Sequence, residues 1–402
     1  MTIINNKNDI IKLVGRKRDL LDADILSNSQ EMNEKISNGR FLIIGGAGTI
    51  GQAVAYEIFK KNPLALHIVD ISENNLVELV RDLRSSIGYI KGDFKTFAID
   101  SGSIEFDALM RSEINYDYVL NLSALKHVRS EEDPFTLMRM INVNIVNTLT
   151  SIKWAKELNA KKYFCVSTDK ATAPINMMGA SKRIMEKFLM QQSDNLLVST
   201  SRFANVAFSD GSLLHGFNQR IKKSQPLVAP SDTYRYFITP KEAGQLCLMS
   251  CLLGKNRDNF FPSSDEELNL ISFSRIAQDY LKLLGFSAFV CDTEKEAREN
   301  VNRLKKEGKW PCYFFKSDTT GEKTEETFFL PEDEIDMSRF KNIGVIKNKK
   351  TESTDSLNFF LAEIEKMKIS QKWFKSDILD LFNNIVPEFK HLETGLYLDS
   401  KM

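Results

Sequence analysis

The chain is poor in the side chains that build metal centres and disulfide frameworks. Its four histidines, His67, His127, His215 and His391, are scattered, and its five cysteines, Cys165, Cys247, Cys251, Cys291 and Cys312, form an odd set without paired ligand spacing. A zinc site and a disulfide framework are therefore excluded as organising devices, and the thiols point to a reducing compartment. Cys247 and Cys251 stand four apart in an apolar helical run and read as core. Net charge is lacking too. The 54 basic side chains balance 54 acidic ones, which argues against a nucleic-acid partner, because such proteins carry a basic excess. No apolar run approaches the roughly 18 residues needed to cross a bilayer. The polar stretch 1–12 has no apolar core of signal-peptide length. The expectation is a soluble, cytoplasmic protein with no membrane partner.

What is present is an ordinary globular balance, 42% hydrophobic and 27% charged over 402 residues, enough for about two to three domain-sized units. Residues 1–38 read as a helical arm. From Phe41 the pattern becomes regular. Phe41-Leu42-Ile43-Ile44 is a continuous apolar run, as in a strand buried on both faces. Further strands are expected at 66–70, 96–100, 118–123, 162–167 and 196–201, with helices between them. That alternation predicts an α/β fold built on a doubly wound parallel sheet. Beyond Ser201 the regularity weakens, although 240–253 and 271–284 retain helical patterns. The stretch 308–327, rich in aromatic, Gly and charged residues, reads as loop. The expected organisation is an arm (1–38), a dinucleotide-binding unit with the catalytic segment (39–205), a smaller α/β substrate unit with parts returning to the sheet (206–345) and a helical tail (346–402).

Gly45-Gly46-Ala47-Gly48-Thr49-Ile50-Gly51 follows the first strand and opens a helix. Glycines at 45, 48 and 51 permit a tight turn and close approach of a pyrophosphate, which the N–H groups and dipole of the helix start, at Thr49 and Ile50, then attract. Asp70 ends the second strand, where a carboxylate can accept from ribose hydroxyls and repel a 2′-phosphate, favouring NAD over NADP. Asp100, at the end of the third strand, is either an adenine contact or a strand-end turn residue. Lys126 follows the fourth strand, near the expected nicotinamide, in a cofactor or structural role. His127 reads as a packed histidine.

Several strings then converge. They are Ala124-Leu125-Lys126-His127-Val128, Ser167-Thr168-Asp169-Lys170-Ala171, Met178-Gly179-Ala180-Ser181-Lys182-Arg183, Arg202-Phe203-Ala204-Asn205-Val206, Tyr234-Arg235-Tyr236-Phe237 and Gly321-Glu322-Lys323. With them, about 40–340 resembles the extended short-chain dehydrogenases that act on nucleotide sugars. Within these it resembles the 4,6-dehydratases for UDP- or GDP-linked N-acetylglucosamine of legionaminic acid and bacillosamine synthesis. The resemblance implies a Rossmann-like fold, NAD as cofactor, a nucleotide-sugar substrate and a homo-oligomer, dimer or tetramer, assembled through helices on one sheet face. It also implies an internal redox cycle: oxidation at carbon 4, loss of water across carbons 5 and 6, and return of hydride to carbon 6.

One residue departs from the superfamily pattern. The tyrosine expected four positions before Lys182 is Met178, whose thioether takes no proton, so other groups must run the chemistry. The resemblance makes Asp169 the acid and Lys170 the base, the latter requiring a pKa lowered by burial and nearby positive charge. Lys182 would hold the nicotinamide ribose and favour an alkoxide. Thr168 would bond the 4-oxygen, with the first proton leaving through Thr168 towards Asp169 or through a water. Lys126, Asn205 and Arg235 fall at positions that would meet the substrate, Arg235 with a fork suited to a diphosphate. Met178 favours retention at carbon 5. The alternatives are a nucleotide-sugar 4-epimerase, which needs the tyrosine, a carbon-5-inverting dehydratase, and a non-catalytic NAD-binding sensor or scaffold.

Overall fold

The computed structural model describes residues 7–112, 115–263, 267–349 and 354–397. Six parallel strands form the centre of the molecule: β1 (Arg40–Ile44), β2 (Ala65–Asp70), β3 (Asp93–Ala98), β4 (Tyr118–Asn121), β5 (Lys162–Thr168) and β6 (Leu197–Phe203). Their spatial order is β3-β2-β1-β4-β5-β6. The chain therefore winds outward from β1 in one direction and from β4 in the other, which opens a crevice at the carboxyl ends of β1 and β4. Strand Asp258–Pro262 extends the sheet parallel to β6, and Ile343–Lys347 and Ile335–Asp336 close it antiparallel, making nine strands. The doubly wound α/β fold read from the alternation is thus present. The central strands are apolar because both faces are covered: β1 is buried at Phe41, Leu42, Ile43 and Ile44.

A smaller parallel sheet, in the order Ser287–Cys291, Lys309–Phe315, Leu227–Pro230, forms a second layer with its own core around Trp310, Phe217 and Tyr280. Reading 308–327 as loop was wrong over its first half. Trp310 and Cys312 are fully buried in the strand there, and its aromatic residues pack as core. Helix Pro240–Leu253 has the expected bounds. It starts on a capping box in which the Thr239 hydroxyl accepts from Glu242 N–H and the Glu242 carboxylate accepts from Thr239 N–H. Cys247 and Cys251 are buried on it.

The two ends of the chain are integrated into these cores. In the arm, Ile10, Leu13 and Val14 join the core of the smaller layer, while Leu20, Leu21, Met32 and Ile36 join that of the main sheet. Arg16 donates from both terminal nitrogens to Glu242, at 2.7 and 2.6 Å, with both side chains buried. In the tail, helices Thr354–Ser370 and Lys375–Ile385 contribute Leu357, Phe360, Ile364, Ile378, Phe382 and Ile385 to the same core as Ile184, Met185 and Phe188 of helix Met177–Gln191. No helix among the described residues is long and apolar enough to cross a membrane.

Candidate active site

The Gly-rich turn joins β1 to helix Thr49–Phe59 at the crevice. Gly45 has φ +76°, a left-handed conformation, and a Cβ there would lie 2.5 Å from Ser123 N. A Cβ on Gly51 would lie 2.3 Å from Gly45 O, so helix and turn touch backbone to backbone. Gly48 is the N-cap of that helix and gives no side-chain cap, so the N–H groups of the Thr49-Ile50 start are left for a ligand at the turn. The Asp70 carboxylate accepts from Ala47 N–H at 2.9 Å and from Ser72 N–H at 2.9 Å, tying β2 to the turn with lone pairs to spare. These features fit a dinucleotide pyrophosphate and ribose.

Asp100 is engaged as a strand-end turn residue. It accepts from Gly102 N–H at 2.8 Å and from the Asn147 amide at 3.1 Å, and pairs with Arg139 at 3.4 Å. Lys126 is exposed, with Nζ 3.5 Å from Ser209 Oγ; partial desolvation lowers its pKa and Asp210 pulls the other way. His127 was read as a packed histidine, but it is exposed on the loop after β4, with Gly211 against its ring. Asp210 escaped the sequence reading: Thr49 Oγ1 donates to its carboxylate at 3.1 Å, so the 209–211 loop closes over the Gly-rich turn.

The catalytic strings meet at the end of β5. Thr168 Oγ1 donates to Asp169 Oδ1 at 2.9 Å, and Lys170 Nζ donates to the same oxygen at 3.1 Å and to Asn205 Oδ1 at 3.4 Å. Asp169 is only 2% exposed. The lowered lysine pKa expected from burial does not hold in this geometry. Burial does depress the Lys170 ammonium, but the negative charges of Asp169, Glu326 and Glu322 outweigh it and Arg235, and its pKa is raised. Met178 and Lys182 are both buried on helix Met177–Gln191. The Met178 side chain packs in the apolar core with Met177, Ile184 and Met185. Lys182 Nζ donates to Val166 O at 3.2 Å, and burial lowers its pKa against the pull of Cys165 and Glu186.

Arg235 is placed differently from a free phosphate clamp. Its guanidinium pairs with Glu322 and donates to the carbonyls of Tyr234 at 2.7 Å, Thr324 at 3.0 Å and Lys323 at 2.9 Å. With its side chain 2% exposed, it braces the 322–324 loop, and a diphosphate would have to displace Glu322 to reach it. Glu322 carries a raised pKa from burial, opposed by Arg235 and Lys170.

Two buried networks support the site and were not legible in the motifs. Asn144 sits in the π-helical turn Asn142–Val146, and its amide clamps the Leu125 peptide from both sides: Leu125 N–H donates to Oδ1 and Nδ2 donates to Leu125 O, each at 3.0 Å. The same Nδ2 donates to Ser181 Oγ at 2.9 Å, joining the Lys126 loop to the Lys182 helix. Beneath β5, Glu186 takes a bidentate pair from Arg202 at 3.0 and 2.8 Å and a hydrogen bond from Ser167 at 2.6 Å. A lone Asn or Glu carries no motif, so only the fold shows these roles.

The crevice, the glycine turn and the helix after β5 define a Rossmann-like doubly wound fold. The chain matches the family described as polysaccharide biosynthesis protein over residues 41–348, and it belongs to that family. It is 31% identical to an uncharacterized membrane protein, MJ1061, of Methanocaldococcus jannaschii over 239 residues, 58% of this chain and 68% of that protein. It is 27% identical to the capsular polysaccharide biosynthesis protein CapD of Staphylococcus aureus over 288 residues, 70% of this chain and 46% of that protein, so it spans under half of this relative's length. The structure of Pen from Bacillus thuringiensis superposes with a TM-score of 0.64 at 20% identity, covering 84% of this chain and 98% of that one. Other chains of this fold include dTDP-glucose 4,6-dehydratases solved with NAD and a UDP-glucose 4-epimerase solved with UDP-glucose.

Proposed function

We propose that the protein is a nucleotide-sugar 4,6-dehydratase that holds NAD tightly and converts UDP- or GDP-linked N-acetylglucosamine to the 4-keto-6-deoxy sugar with retention at carbon 5. The observation that carries this reading is the hydrogen-bonded chain Thr168–Asp169–Lys170–Asn205 at the end of β5, beside a helix whose tyrosine position is a buried methionine. A 4-epimerase needs a proton carrier at carbon 4 alone and has no use for a second acid–base pair. The match to UDP-glucose 4-epimerases, 31% identical over 231 residues in Rickettsia bellii, keeps that activity as the outcome to test against.

The glycine turn and Asp70 would seat NAD, which supplies a hydride acceptor at carbon 4 and later a donor at carbon 6. Thr168 would bond the 4-oxygen and pass its proton to Asp169, to which it already donates. Neutralising Asp169 removes the largest of the negative charges that hold the Lys170 pKa up and leaves burial opposed only by Glu326 and Glu322. Lys170 then releases its proton to solvent, accepts the proton of carbon 5, and returns a solvent-exchanged proton to carbon 5 once hydride has reached carbon 6. Asp169 returns its own to the departing 6-hydroxyl, which leaves as water. Lys182, buried beneath the site, would favour the alkoxide and hold the ribose. Assembly as a dimer or tetramer and a cytoplasmic setting complete the proposal.

The test is direct. Purified protein is incubated with UDP- and GDP-N-acetylglucosamine, and the product is followed by mass spectrometry in light and heavy water. Loss of one water with solvent deuterium at carbon 5 is expected. An isomer of unchanged mass would instead identify an epimerase, and no change with either donor at any NAD concentration would sink the dehydratase reading.

A further inference from the structure

The loop between Lys170 and the helix of Met178 and Lys182 cannot satisfy its own backbone. It runs Ala171 to Asn176, and Ala173 within it has φ +44°, a left-handed value unusual for a residue with a Cβ. A loop in that state persists only when its surroundings fix it, so the partners of its carbonyl groups matter. They come from far along the chain. Lys390 N–H donates to Pro174 O at 3.0 Å and Leu392 N–H to Ile175 O at 2.9 Å. Lys323 Nζ donates to Thr172 O at 3.0 Å.

The same C-terminal segment holds the Gly321-Glu322-Lys323 loop. Gly321 N–H donates to Leu392 O at 2.9 Å and Thr320 N–H to Leu396 O at 2.8 Å. Thr320 Oγ1 donates to Glu393 Oε1 at 2.7 Å. Lys375 also donates to the Glu393 carboxylate and, with Thr320, holds its pKa down at about 2 against the opposing effect of burial. Gly321 in turn closes on the helix start: the Asn176 amide donates to Gly321 O at 2.8 Å while its oxygen caps Gly179 N–H at 2.7 Å. Gly321 has φ +67°, and a Cβ there would lie 2.4 Å from Asn176 Cβ. A second route reaches the same helix. Fully buried Glu131 accepts from Met177 N–H, and its other oxygen lies 3.1 Å from His391 Nε2.

We infer that residues 390–397 form a wall of the active site. The segment fixes the 171–176 loop and the Gly321-Glu322-Lys323 loop relative to each other, with Leu392, through its backbone, and His391, through Glu131, as positioning residues. Glu131, His391 and Glu393 bring ligand atoms within 4.8 Å of one another, but Met177 N–H, Lys375 and Thr320 already occupy the two carboxylates. The cluster is therefore a latch rather than a cation site. The consequence for catalysis rests on the dehydratase reading, whereas the placement of the loops does not.

The experiment uses the full chain with Leu392→Pro, which deletes the N–H given to Ile175, and Leu392→Ala, which keeps it. His391→Ala is paired with His391→Gln, which restores a donor near Nε2. Turnover of the nucleotide sugar should fall at least tenfold in kcat for Leu392→Pro and His391→Ala, with NAD affinity within twofold of wild type. Leu392→Ala and His391→Gln should stay within about threefold. Independently of activity, hydrogen exchange at the Gly321 amide should quicken at least tenfold in Leu392→Pro, and at the Met177 amide in His391→Ala. Unchanged exchange at both amides would overturn the inference even if wild-type protein shows no turnover, whereas quickened exchange with an inactive wild type would refute only the dehydratase reading.

Discussion

The acid–base pair is decided by one shared oxygen. Asp169 Oδ1 accepts from both Thr168 and Lys170, so a proton arriving from Thr168 weakens the hold on Lys170 in the same event. Replacing Lys170 with Ala leaves the Thr168–Asp169 bond intact. We expect Lys170→Ala to bind NAD and to reduce it on adding substrate, visible as reduced-nicotinamide fluorescence. Release of water should fall about 10²-fold or more, as for loss of a positioned general acid–base group, and solvent deuterium should not enter carbon 5. Wild-type turnover would remove Lys170 from the mechanism. The participants in this chain were legible because Thr168, Asp169 and Lys170 are consecutive and Asn205 closes a neighbouring strand. The direction of the lysine shift was not. Asp169, its neighbour in sequence, is the largest raising charge, and Glu326 and Glu322, more than 150 positions away, add to it only once the chain folds to bring them near Lys170. Arg235 was misjudged for the same reason, since its partner Glu322 comes from another segment.

At the scale of elements, β5 and the helix after it are held by the buried Glu186–Arg202 pair. Arg202 lowers the Glu186 pKa to about 2 despite burial, with help from Arg183 and Ser167. A carboxylate whose folded pKa lies below its unfolded value of 4.5 stabilises the fold fully above that value, and the contribution is lost as pH falls towards 2. The displacement corresponds to about 3 kcal/mol. We expect Glu186→Gln to lower stability by about 3 kcal/mol at neutral pH, because it leaves Arg202 buried without its counter-charge. The gap from wild type should narrow steadily in denaturant melts taken from pH 5 down to pH 3. A pH-independent gap would show that packing rather than charge holds the pair. The strands themselves were readable from their apolar runs, including β1 and β5. The strand Lys309–Phe315 was not, because its aromatic and charged residues mimic a loop until a neighbouring sheet buries them. The π-helical turn at Asn142–Val146 leaves no periodic trace at all, since one extra residue per turn is invisible in so short a stretch.

At the scale of the molecule, the tail is a load on one face of the main sheet. Helices Thr354–Ser370 and Lys375–Ile385 lay Leu357, Phe360, Ile364, Ile378, Phe382 and Ile385 over helix Met177–Gln191, with Phe360 centred 6.3 Å from Phe188 and 5.9 Å from Phe382. Burying each such side chain is worth about 1.5–3 kcal/mol, and six together rival the roughly 5–15 kcal/mol that keeps a typical domain folded. A chain ending at residue 349 would strip these side chains from the core they share with Phe188. We expect that chain to lose its cooperative thermal transition or to self-associate, seen as a higher sedimentation coefficient than the full chain. A monodisperse truncated protein with an unchanged melting temperature would mean that the tail merely rests on the sheet. The sequence pattern marks the tail as amphipathic but not the surface it covers, because that surface exists only once helix Met177–Gln191 has docked on β5 and turned its own apolar side outward.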